Sequence, residues 1–325
     1  MKTSNNKIFI MCFLAFIVYF LFSLVVFKYY DAGDQVAYRY FYDGVLGLSF
    51  RDAFVFYKNS LDSSEPGYFL LVYIFSSFIE KDLLLSFLNG IFIFLILYHL
   101  IKLNVSNVVL FLLSCNYYIF VLFFSAERLK LSLLILLFGL CFYGHGRKIT
   151  YLSVFTHVQS AIIICILQLE RFDKLFLKLK RARLGYVNKN LLGLFFLLII
   201  GCVFTYFMWE HISHKILTYY TQWSGFDSVF KPMIFTLLSV LYAKESKFQA
   251  FLIGSFMSVL SVLLGGERLV IFSYFIFLYY GLQYNRGMNF GVIITSVYFT
   301  LKGILFIFNA INTGDGFVSY VDSYY

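Results

Sequence analysis

Two stretches set the same pair of charges at the mouth of an apolar run: "SAERLKLSLLILLF" (125–138), with Glu127 and Arg128, and "GGERLVIFSYFIF" (265–277), with Glu267 and Arg268. A planar guanidinium with five donors grips phosphate bidentately. The free N–H groups and partial positive charge of a helix N-terminus suit an anion further. An arginine in that place also suits a lipid head group, or its neighbouring glutamate. His157, in "SVFTHVQSAII", is the only histidine midway along a long apolar run. Its imidazole is either a general base near neutral pH or a hydrogen-bond partner for an adjacent helix.

The loop "DAGDQVAYRYFYDGV" offers Asp31 and Asp34, followed by Tyr38, Arg39 and Tyr42. Two carboxylates could hold a metal, but no further ligands accompany them and no metal is expected; the plain reading is a solvated amphipathic loop. "SSEPGYFLL" (63–71) carries one of only two prolines in 325 residues. It reads as a helix start, with Ser63 or Ser64 near the cap, Glu65 in the first turn and Pro66 fixing the first helical dihedral. His99 and His145 near helix ends, and His211 and His214 in a loop, read as interfacial, and Lys302 as a snorkelling side chain.

These residues must be positioned by apolar elements. With 61% hydrophobic residues, 13% charged ones and a mean hydropathy of +0.82, no single soluble core could hide the apolar side chains. The expectation is an all-α, polytopic integral membrane protein, since lipid demands internally bonded backbone and the apolar runs are long and continuous. The clearest spans are 8–27, 83–101, 108–124, 149–169, 191–209, 248–264 and 290–309, with shorter runs near 67–79, 131–143, 232–243 and 269–282. That makes about ten or eleven transmembrane helices in a single membrane domain, 1–325. The basic N-terminal flank precedes an apolar run too long for a cleaved signal peptide, so the first span reads as uncleaved. The five cysteines all fall in apolar runs and give no disulfide framework.

A net charge of +9 could serve nucleic acid, but in such a chain the location of charge matters more, and no nucleic-acid partner is expected. The segment 170–190 carries seven Lys/Arg against two acids, whereas 28–66 is rich in Asp. The rule that basic loops stay inside makes 170–190 cytoplasmic and 28–66 outer, with a further outer loop at 210–231. If every run crosses, 125–130 falls inside and 144–148 outside. If instead 67–79 is re-entrant or lies on the surface and 149–169 breaks near His157, both reverse; this second count is preferred.

The stretches "AGDQVAYRYFYDG", "EPGYFLLVYIFSSF", "ERLKLSLLILLFGL" and "FTHVQSAIII" resemble, in order and spacing, the EpsG/Wzy group of polysaccharide polymerases. The likeness covers roughly 30 to 165, then fades apart from Arg268. Glu65-Pro66-Gly67-Tyr68 matches intact; the threonine expected before Asp34 is missing, and Val158-Gln159 intervene between His157 and Ser160-Ala161.

The resemblance implies a GT-C-like glycosyltransferase of the bacterial inner (cytoplasmic) membrane. It would join undecaprenyl-pyrophosphate-linked oligosaccharide repeat units, at the outer face, into O-antigen, capsule or exopolysaccharide. A sugar hydroxyl attacks an anomeric carbon and a lipid pyrophosphate departs, so cations matter more than a general acid. Arg128 and Arg268 would hold the pyrophosphate, and His157, Asp34 or Glu65 would take the proton. Tyr38, Arg39, Tyr68, Glu127 and Glu267 would line the substrate. No cofactor or nucleotide site is expected; a chain-length regulator and a flippase are the protein partners implied. The competing readings are a flippase or transporter of the same lipid-linked sugars, and a membrane acyltransferase that modifies sugars.

Overall fold

The computed structural model describes residues 5–141, 145–169, 227–244, 246–264 and 266–318, with isolated positions between 206 and 217. Among the described residues every regular element is helical. The basic loop 170–190 and most of the expected span 191–209 and of the loop 210–231 lie outside them, with His211 and His214. Two compact units are formed, Met1–Ala161 with Gly281–Tyr325, and Ile162–Tyr280.

The first unit is built on α1 (Asn5–Phe27). At about 1.5 Å per residue it is long enough to cross a hydrocarbon layer of about 30 Å. It is apolar on every side and only 17% of its span is buried, so Phe13, Val18 and Leu21 face outward. The polar stretch after it is no solvated loop. It folds into two amphipathic helices, α2 (Asp34–Gly44) and α3 (Phe50–Leu61), the latter capped by Ser49, which accepts the Asp52 amide. Their inner faces bury Phe41, Tyr42 and Tyr57 against Tyr68 and Phe69 of α4 (Pro66–Phe75). Tyr30 is likewise buried. Fixing two helices here is favourable because each large aromatic buries some 150–250 Å².

The ten-residue α4 spans about 15 Å, half a bilayer core, as the second topological count requires. It is followed by α5 (Lys81–Lys102), antiparallel to α1: Phe9 meets Phe94 and Phe16 meets Phe87, both with ring centroids 5.6 Å apart. The expected span 108–124 is a broken one, α6 (Asn107–Ser114) and α7 (Tyr117–Phe124) meeting at 40°. The break is stabilised by bonds to several of the backbone groups it frees. Asn116 caps α7 through the Tyr118 amide (3.0 Å), and the Tyr19 hydroxyl donates to the Ser114 carbonyl (2.7 Å). Thr300 donates to the Leu112 carbonyl (2.9 Å).

From that break the chain turns back into α8 (Glu127–Cys141). A 3-10 segment (His145–Leu152) and the short α9 (Ser153–Thr156) pack along α8. The run 149–169 is interrupted, as the second count has it: His157 is extended (φ −160°, ψ 120°) before α10 begins (Ser160–Leu169). In the second unit, α11 (Asp227–Tyr242) and α12 (Lys247–Leu264) form a hairpin, and Phe235 stacks at 6.0 Å on Phe277 of α13 (Gly266–Gly281). The first unit closes with α14 (Phe290–Thr313), whose Gly303 lies against the α6–α7 break: a Cβ there would sit 2.6 Å from the Cys115 carbonyl oxygen.

Among the described residues, α1, α5 and 285–313 are long and apolar enough to cross a membrane, and the bent α6–α7 pair makes a fourth. The two ends of the first unit differ in charge. One gathers Lys7, Lys102 and Arg286, the last donating to the Asn104 carbonyl at 2.8 Å, with no described acid among them. The other holds the acid-rich α2–α4 region and the start of α5, and Asp315 after α14, which reaches the Tyr30 hydroxyl at 3.4 Å.

Candidate functional site

Helix α4 starts differently from the sequence expectation, and the difference makes the site. Glu65 is itself the N-cap, with Pro66 at the first helical position, yet its side chain caps nothing in α4. The carboxylate turns away because three donors from elsewhere claim it. Arg128 Nη1 donates to Oε2 at 3.1 Å, the Val158 amide donates to Oε1 at 2.9 Å, and His157 Nδ1 lies 2.8 Å from Oε1. Ser63, the expected cap, serves the glutamate instead: its hydroxyl lies 3.3 Å from Oε2 and accepts the Glu65 amide. Tyr57 donates to that same hydroxyl at 3.0 Å.

Three sequence motifs more than 90 residues apart at their extremes thus meet on one carboxylate that is 2% exposed. Burial by itself would raise the Glu65 carboxyl, but the His157 and Arg128 charges and the His157 and Val158 hydrogen bonds outweigh it and hold the group at about 2. A carboxylate held so low is a poor proton acceptor. Its role is to pin the hydrogen on His157 Nδ1, which leaves Nε2 as the ring atom that can take or give a proton. In this structure Nε2 lies 3.2 Å from the Gln159 amide oxygen.

Because the folded carboxyl sits near 2, below its ordinary 4.5, the Glu65 contribution to stability is complete above about pH 4.5 and fades as pH falls toward 2. The gap in thermal midpoint between wild type and Glu65→Gln is therefore expected to be constant from pH 8 to 5 and to shrink below; a gap that shrinks between pH 8 and 6 would contradict this assignment.

Arg128 is the cation of the site. Its Nε is buried without a hydrogen-bond partner among the described residues, and its side chain is 14% exposed. Beyond Glu65, it faces the Tyr38 and Tyr57 hydroxyls. Tyr38 in turn stands edge-on to Tyr68, with centroids 5.6 Å apart. A guanidinium with donors to spare, at the start of a 15-residue helix, is equipped for an anion.

The neighbouring glutamate does not pair with Arg128. Glu127, 1% exposed, accepts from Lys81 (2.8 Å) and Gln35 (2.8 Å) on one oxygen and from the Tyr68 hydroxyl (2.6 Å) on the other. Lys130, one turn on, binds the Asn89 amide oxygen (2.7 Å) and the Phe123 carbonyl (3.1 Å). The stretch "ERLK" therefore sends three charges into three different networks, as the 100° step between helix residues allows.

Lys81, Gln35 and Asn89 are buried partners that the sequence reading missed. Lys81 stands between a loop and an apolar run, where a lysine ordinarily faces water, and Gln35 carried no local signal at all.

The other expected residues divide. Asp34 accepts a hydrogen bond from Ser125 (3.1 Å), and Asp31 lies against Gly314. No group of three His, Cys, Asp or Glu converges among the described residues. Arg39 is tied to Asp82 (3.0 Å) and to the Phe27 carbonyl (2.7 Å), clamping α2 onto the ends of α1 and α5. Glu267 and Arg268 open α13, but their side chains lie outside the described residues.

No known protein family, curated protein or solved structure matches this chain. The site is therefore read from its own geometry, whose tightest point is Gly67. A Cβ there would sit 2.9 Å from the Thr156 Cα and 3.0 Å from the Phe155 carbonyl oxygen. Only glycine lets α4 lie on α9 closely enough for Glu65 to reach His157. Gly67→Ala is expected to leave the protein in the membrane at near-normal level while activity of the site falls by about tenfold or more, since a shift near 1 Å can cost that much. Wild-type activity in this variant would show that the close approach is not needed.

Proposed function

We propose that the chain is a membrane glycosyltransferase that polymerises lipid-pyrophosphate-linked oligosaccharide repeat units. The observation that carries the reading is the shared Glu65 carboxylate, which joins an incompletely bonded arginine to a histidine with an oriented ring. The acceptor hydroxyl of an incoming unit attacks the anomeric carbon of the growing chain. Its proton passes to His157 Nε2 as the new C–O bond forms, which requires the neutral ring with Nε2 turned free of the Gln159 amide oxygen. The anomeric bond to the pyrophosphate breaks, and the leaving group takes the electron pair. Arg128 neutralises that departing charge in a buried site, where such an interaction is strong.

The charge asymmetry of the first unit supports an orientation with the Lys7, Lys102 and Arg286 end in the cytoplasm and the Glu65 cluster at the outer face. In that orientation 125–130 would lie on the outer side, where a polymerase of exported repeat units would work in the inner membrane of a bacterium.

The test is the product ladder of cells lacking the protein. Loss of the polymerase is expected to leave single repeat units on the carrier or lipid core. An absence of any outer units would select a flippase instead, and unchanged chain length with missing acyl groups would select an acyltransferase.

A further inference from the structure

A second polar cleft lies in the first unit, apart from the Glu65 cluster. It is open, has a volume of about 420 Å³, and forms where α2 meets the turn between α4 and α5. That volume lies within the range of roughly 300–1,000 Å³ typical of small-molecule sites. Its walls carry Asp43, Ser77, Glu80 and the Arg39–Asp82 pair; Lys81 runs through its floor to Glu127.

Both cations here are paired, Arg39 with Asp82 and Lys81 with Glu127, so their charge is neutralised, although Arg39 Nε is left as one unpartnered donor among the described residues. Among the described residues nothing hydrogen-bonds the side chains of Asp43, Ser76, Ser77 or Glu80. The groups left for a ligand are thus carboxylates, hydroxyls and the single Arg39 Nε donor; the uncompensated carboxylates repel a phosphate, and the mixed acceptors and donors suit alcohols. No three acids converge as a metal would require. Phe78, 83% exposed in the turn, offers a flat apolar face at the edge of these polar groups. Free carboxylates and hydroxyls beside an exposed ring match one ligand class, an uncharged sugar, with C–H faces for the ring and hydroxyl pairs for the acids.

We propose that this cleft is a saccharide-binding subsite that holds neutral sugar residues of the substrate, separate from the Arg128 anion site. It deepens the polymerase reading and rests on it for the identity of the sugar. The subsite would grip the chain away from the reacting bond, through uniform binding that sets KM rather than kcat.

The experiment uses the full-length protein in detergent and oligosaccharides released by mild acid from the producing cells' own polysaccharide. Binding is followed by saturation-transfer NMR and titration calorimetry. Wild type is expected to bind them. The Asp43→Asn/Glu80→Gln double variant and Phe78→Ala are each expected to bind about tenfold more weakly or worse, the loss of one or two charge-assisted bonds or a stacking face. Their thermal midpoints should match wild type, because these side chains are exposed. Arg128→Ala should bind the free oligosaccharide as wild type does, and inorganic pyrophosphate should not compete. Failure of wild type to bind, equal binding by the cleft variants, or competition by pyrophosphate would overturn the subsite. If the cleft binds sugar as expected but Arg128→Ala cells keep long chains, the subsite stands and the polymerase reading falls.

Discussion

Replacing Arg128 by alanine is expected to abolish long-chain polymer and leave single repeat units, a loss of about 10³-fold in turnover or more. The size follows from where the guanidinium sits. Among the described residues it is the one arginine or lysine that touches the Glu65 carboxylate, and its side chain is mostly shielded from water. A pyrophosphate leaving in such surroundings has no water to take over its neutralisation. Arg128→Lys keeps the charge but loses the planar fork, so it should recover only part of the activity. The check is the polysaccharide ladder from cells in which the variant is present at wild-type level. Long chains at normal abundance with Arg128→Ala would rule out this role and with it the polymerase mechanism. The variant also frees one oxygen of Glu65, so a comparison with Glu65→Gln separates anion binding from histidine positioning. Glu65→Gln should keep residual polymer, because the Gln amide oxygen can still accept from His157 Nδ1 although the ring loses its charged partner.

The largest effect on stability is expected from Lys81→Met. Lys81 and Glu127 form an ion pair of 2.8 Å with side chains 5% and 0% exposed. Removing one member of a buried pair leaves the other charge uncompensated, at a cost of about 3–5 kcal/mol. That is a large part of the roughly 5–15 kcal/mol that holds a typical domain folded. The Gln35 amide and the Tyr68 hydroxyl would still donate to Glu127, which keeps the cost from growing further. The double variant Lys81→Met/Glu127→Gln carries no buried charge at this point and should recover much of the lost stability. Thermal midpoints of purified protein in one detergent would show both effects. A midpoint for Lys81→Met equal to wild type would mean that water reaches the pair.

Much of the architecture was legible beforehand. Continuous apolar runs of about 20 residues at 8–27, 83–101 and 290–309 became α1, α5 and α14, because hydrophobic length is a one-dimensional property. The interruption near His157 and the shortness of the run after Pro66 could be read in the same way. The break at Cys115 could not. The run 108–124 is apolar enough to continue, and what ends α6 is the pair of carbonyl bonds from Tyr19 and Thr300 with the Asn116 cap. Asn116 is the one local mark of the break; Tyr19 and Thr300 come from two other helices and leave no trace in the local sequence.

The candidate site divides along the same line. From residue types and positions alone, the sequence picked out Arg128 and His157 as charged or titratable groups set beside or within apolar runs, where each is costly to keep; Glu65 was legible there only as part of a helix start, and its site role came from the resemblance. It also placed the helix start at Pro66, since proline at the first helical position is locally favoured. Only the tertiary structure decided which charge meets which. Glu127 and Arg128, adjacent in sequence, part to opposite networks because successive helix residues point 100° apart, and the lysine that neutralises Glu127 arrives from residue 81. Whether a buried charge is a structural tie or a free functional group depends on the donors that surround it in space. That count is settled when the helices pack, and no spacing along the chain contains it.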